Sequence, residues 1–184
     1  NKEYKKTNYI ILLILLPVLL AAVNNFIYLG FAKETISFAY DNLLPLNIAL
    51  TIATAINEEL VFRYVVHQNL NIKNKLLKII TSAAIFGLFH IVVFISTFNP
   101  YDLIIIAYTF GLGLILGFIY EYAHNIYACI TFHFLYNLLN TDIYLLFNCP
   151  ENNLTFYLVA ISTSVVIAIY VLIIYIIKFR KEVE

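Results

Sequence analysis

The strongest constraint on this chain is a series of apolar runs long enough to cross a bilayer, separated only by short polar joints. A helical crossing needs roughly 20 apolar residues. Runs of that order fall near 9–31, 43–69, 76–98, 101–122, 125–147 and 154–178. The joints carry helix breakers and polar clusters: Pro45, "FNPYD" around Pro100, "EYAHN" around His124 and "NCPENN" around Pro150. No soluble domain fits between them and no repeat of 20 to 50 residues is visible. The pattern predicts an all-α, polytopic membrane bundle of about six transmembrane helices, forming one domain over residues 1–184.

Composition agrees. Charged residues make up 12% of the chain and hydrophobic ones 62%, whereas soluble domains carry about 25% charged residues. Lysines precede the first run as they would a signal peptide, but it lacks a small-residue cleavage site and continues past Ala22, so a retained span is expected. Lys2, Lys5, Lys6, Lys73, Lys75, Lys78, Lys178, Arg180 and Lys181 all fall on one side if both termini are cytoplasmic, with Lys33 opposite. The net charge is zero and basic residues are not interleaved with aromatics, so a nucleic-acid partner is not expected. Cys129 and Cys149 lie along one expected helix, about 30 Å apart and too far for a disulfide. The sequon Asn153–Thr155 is too common a triplet to weigh.

Against this apolar background a few ionisable groups stand out. Each costs about 2.5–3.5 kcal/mol to insert and so tends to face the bundle interior. In "NEELVFRYV", Glu59 and Arg63 are four apart, share a helix face, and can form an ion pair that lets both charges exist in lipid. Glu58 points about 100° away and has no cation at helical spacing, which suits a general base or acid. His90 follows Phe86 by one turn, and His133 and Asn137 share a face in "HFLYN". Singly, a histidine in an apolar helix is most simply a packed residue, and His133 with Asn137 could merely join helices.

Depth ties the three together. Glu58 sits about 22 Å from the Lys73 boundary, His90 about 18 Å from Lys78, and His133 about 12 Å from Asn125, at 1.5 Å per residue. In a core about 30 Å thick, these levels overlap near the middle. His67 and His124 are expected at the interface, Glu121 is expected to be solvated, and Asp142 to cap or line a cavity. Gly113 and Gly117 have GxxxG spacing, expected to serve tight packing within the bundle.

The ordered motifs EExxxR (Glu58, Glu59, Arg63), FxxxH (Phe86, His90) and HxxxN (His133, Asn137) resemble those of the CPBP family. That family, also called Abi, comprises intramembrane proteases related to the CAAX prenyl endopeptidases. The resemblance covers a core of about residues 43–147, four of the six spans. It implies peptide-bond hydrolysis inside a membrane cavity, on a membrane-associated or lipid-linked peptide. Glu58 and His90 would activate water, His133 and Asn137 would steady the oxyanion, and Glu59, Arg63 and Phe86 would support the site. The compact chain favours a small prokaryotic member in the plasma membrane.

No cofactor is favoured. Zinc remains an alternative, with Glu58, His90 and His133 as a His₂Glu set, but there is no HExxH and asparagine is a poor zinc ligand. Two non-proteolytic alternatives stand beside the protease: a bacteriocin self-immunity or partner-binding protein, and a small transporter using the same groups as a proton relay.

Overall fold

A computed structural model describes residues 44–100 and 102–139 continuously, with a few isolated positions near 15–23 and 162–173. Among the described residues there is no strand, as lipid demands of an open chain whose backbone polar groups must all be satisfied internally. The order is α1 (Leu44–Glu59), a π-helical segment (Leu60–His67), α2 (Lys75–Phe89), α3 (Ile91–Thr97), α4 (Asp102–Ala123) and α5 (Ile126–Asn137). These correspond to the expected second to fifth runs. The first and sixth runs are described only at isolated positions, and the end of the fifth run with Asp142, together with Cys149 and the sequon, lies outside the described residues. Among the described residues two helices, Lys75–Thr97 and Asp102–Glu121, are long and apolar enough to cross a membrane.

Local signals explain the boundaries. Pro45 stands in the first turn of α1, where its missing N–H would have been unpaired in any case. Asn74 caps α2 by accepting from Leu77 N at 3.0 Å, and Asn125 caps α5 by accepting from Tyr127 N at 2.9 Å. α3 ends at Phe98 and α4 at His124, both with positive φ (51° and 48°). The α3–α4 corner is held by Thr97, whose hydroxyl bonds Asp102, and by Asn99 N donating back to Thr97 Oγ1.

α2 and α4 form the most extensive helix pair, and α1 packs on α5. The α2–α4 crossing is close because glycines line it. A Cβ on Gly113 would lie 3.0 Å from Ala83 Cα, and one on Gly117 would lie 2.9 Å from Ile79 Cγ2. The GxxxG spacing therefore serves packing within this chain. Around the crossing, Ile79, Phe86, Leu116, Ile119 and Phe132 are at most 1% exposed. Leu88, Phe89, Val92 and Ile95 point outward with more than half their surface open, which suits an acyl-chain environment. A Gly113→Val chain should lose about 1–3 kcal/mol through overpacking, read as a lower unfolding midpoint in detergent; an unchanged midpoint would contradict this crossing.

Candidate active site

Two departures from regular α-helix surround the candidate residues. After Glu59 the helix widens into the π segment, a rare geometry that recurs at functional sites. At His90, the span Lys75–Thr97 breaks. The imidazole supplies a reason for the break: His90 Nδ1 donates to Phe86 O at 3.0 Å, taking the carbonyl that its own backbone N–H would normally use. That N–H turns to Gly87 O instead, at 3.1 Å.

The buried centre is Glu59, which is 0% exposed. Its Oε1 accepts from His133 Nδ1 at 2.8 Å, and its Oε2 lies 3.1 Å from Arg63 Nε. The second contact is an ion pair without hydrogen-bond alignment, since both of those atoms lack a hydrogen-bond partner. Arg63 is anchored elsewhere: Nη2 donates to Gly113 O at 3.2 Å, and Cζ sits 4.7 Å from the centre of the Phe86 ring. Glu59 thus does more than balance Arg63, because it also fixes the His133 ring. The motif spacing pairs Glu59 with Arg63 in support of the site and does not indicate the His133 contact.

Glu58 is half-buried, with 23% of its side chain exposed, and its Oε2 lies 3.8 Å from His133 Nε2. That is beyond hydrogen-bond length, so both heads remain able to meet a third group. A carboxylate from α1 and an imidazole from α5 therefore face each other. His90 is linked to them through Phe86, whose ring lies edge-to-face 5.0 Å from His90 and 6.1 Å from His133. Asn137 is half-buried, one turn along α5 from His133.

Acceptor-only partners decide the proton positions. A carbonyl or a carboxylate can only receive, so Nδ1 carries hydrogen in both His90 and His133. When the His90 ring is neutral, its lone pair is therefore on Nε2. His133 can donate through Nε2 only as an imidazolium, the form in which Glu58, Glu59, Arg63 and His133 sum to zero charge.

Residues 40–139 match the model of a family described as type II CAAX prenyl endopeptidase Rce1-like. The chain belongs to this family. No curated protein and no solved structure matches it. The match spans all three motifs, so membership agrees with the resemblance read from them, at the level of a protease family whose setting is the membrane and whose substrates are peptides.

A zinc site built from Glu58, His90 and His133 does not fit this arrangement. Among the described residues no three His, Cys, Asp or Glu side chains converge closely enough to hold a metal ion. Glu58 and His133 approach each other, but His90 is not brought in as a third donor.

Two expectations are corrected. His67, expected at the interface where a histidine is cheap to expose, is instead 1% exposed, and its Nε2 lies 3.0 Å from Glu121 Oε1. Glu121 is accordingly not freely solvated, with only 14% of its side chain exposed. The reason is register. Glu59, Arg63 and His67 recur every four residues, and Gly113, Gly117 and Glu121 do the same, so successive members of each trio overlap on the inward side of their helices. That recurrence was the signal that could have found the pair. His124, in contrast, is exposed.

Proposed function

We propose that this chain is an intramembrane endopeptidase that cleaves a lipid-linked or membrane-associated peptide without a metal. In this reading it crosses a prokaryotic plasma membrane six times with both termini cytoplasmic, and the four central crossings enclose the site. The observation that carries the proposal is the approach of Glu58 to a His133 ring already held by Glu59, in a chain of the prenyl endopeptidase family.

Glu58 accepts a proton from water as its oxygen bonds to the scissile carbonyl carbon, with His90 the second group that the family motifs assign to activating that water. The carbonyl oxygen becomes an oxyanion, met by His133 Nε2–H and the Asn137 amide. When the intermediate collapses the C–N bond breaks, and the proton held by Glu58 passes to the departing amine. Both products leave with atoms and charge balanced. Glu59 stays ionised throughout, orienting His133 and offsetting its positive charge.

The test uses the full chain in lipid nanodiscs and an internally quenched peptide ending in a farnesylated cysteine followed by three residues. Wild type should release the tripeptide, and Glu58→Gln should lower turnover about 10²–10⁴-fold with an unchanged unfolding midpoint. Membrane peptides from cells carrying either form provide a second arm that does not presume prenylation. If neither arm reveals a cleavage that depends on Glu58, the chain is not a protease of this kind.

A further inference from the structure

We propose that His67 and Glu121 are positioning residues for the Glu58–His133 pair, acting by holding the far end of the π segment in register. This rests on the proteolytic reading but concerns residues that lie outside all three motifs.

The argument starts from the cost of the π geometry. Hydrogen bonds from i to i+5 are rare outside single-turn bulges, yet Leu60–His67 sustains them over eight residues. Something outside the segment must hold it open. Three buried ionisable groups do so, at its start, middle and end. Glu59 is bonded to His133 of α5, Arg63 to the Gly113 carbonyl of α4, and His67 to Glu121, also of α4. All three are at most 1% exposed. In a regular α-helix, at 100° per residue, His67 would stand about 80° away from the face that Glu59 occupies. The smaller rotation per residue of the π segment changes that offset, and His67 ends against α4, as Arg63 does.

The His67 end is firmly built. Its ring meets Tyr120 edge-to-face at 5.5 Å, Gln68 bonds the Tyr120 hydroxyl, and Lys75 Nζ lies 3.9 Å from the other Glu121 oxygen. His67 Nδ1 is buried without a hydrogen-bond partner. Glu121 is therefore the sole hydrogen-bond partner of the imidazole among the described residues. Without that bond the segment tightens toward α geometry. Tightening rotates everything upstream of it, and Glu58 and Glu59 are the two residues immediately upstream. The 3.8 Å approach of Glu58 to His133 then opens, although no motif residue has changed.

The experiment compares His67→Leu, Glu121→Ala and His67→Gln with wild type in nanodiscs, using the same farnesylated peptide and also the imidazole ¹⁵N resonances of His133. His67→Leu and Glu121→Ala should lower kcat about 10–100-fold with KM within about twofold, because a displacement near 1 Å costs up to about 10²-fold. His67→Gln retains a side-chain donor toward Glu121 and should restore most of the rate. The His133 resonances should move in the first two variants and stay in the third. If His67→Leu does not fold, Glu121→Ala, at a partly exposed position, carries the same comparison.

Wild-type kcat and unmoved His133 resonances in Glu121→Ala would overturn the proposal, as would a His67→Gln chain as impaired as His67→Leu. If wild type cleaves nothing, the proteolytic reading fails, and the His133 resonances alone decide whether His67 and Glu121 set the geometry.

Discussion

An Arg63→Leu chain is expected to lose about 3–5 kcal/mol of stability, the usual effect of stranding one partner of a buried ion pair. Glu59 is wholly buried, and the change would leave its charge with only His133 against it. The Gly113 carbonyl would lose its donor, and the Phe86 ring would lose the cation above it. Leucine fills much of the apolar volume, so a void is not the main cost. Arg63→Lys should fall between the two, since it keeps a charge but cannot span Glu59 and Gly113 with one planar group. Denaturant titration in mixed micelles, followed by tyrosine fluorescence, reads the difference. A loss below about 1 kcal/mol would mean that Glu59 is neutralised in some other way, since an exposed pair is worth about that much.

A Glu59→Gln chain is expected to retain its shape and lose about 10–100-fold in turnover, because His133 keeps an Nε2–H but loses the positive charge that strengthens it as an oxyanion donor. The amide oxygen will turn toward Arg63, where the positive charge is. The NH₂ group then faces His133 Nδ1, which must give up its hydrogen and become the acceptor. His133 is left neutral, with its proton on Nε2 and no carboxylate behind it to support an imidazolium. The KM for the farnesylated peptide should change little, because Glu59 is buried and does not meet substrate. A large KM effect with unchanged kcat would show that Glu59 acts on binding and not through His133. The two predictions are separable, since one is read by unfolding and the other by rate per folded molecule.

Some of this was legible in the residues. The second, third and fourth runs, and the start of the fifth, match the described helices within a few positions, because a hydrocarbon slab fixes the length of a crossing and tolerates few charges along it. Glu59, Arg63 and His133, all buried, were recognisable as inward-facing, because an ionisable side chain turned toward lipid is too costly to keep. The glycine seam was readable as well, since spacing of four puts Gly113 and Gly117 on one helix face. His67 and Glu121 were misread for a specific reason. Their distance from the run ends made exposure seem cheap, and depth along one helix does not say which face a neighbouring helix covers.

Membrane insertion and the set of groups that must meet inside the bundle follow from the sequence by itself, since both depend on the transfer cost of side chains taken one at a time. Which groups meet was settled only by tertiary structure: Glu59 serving His133 as well as Arg63, the chain widening after Glu59, the helix breaking at His90, and His67 reaching Glu121. Each of those depends on where a second helix places an acceptor or a carbonyl. That placement comes from the α2–α4 crossing and the α1–α5 contact, between residues far apart in the chain.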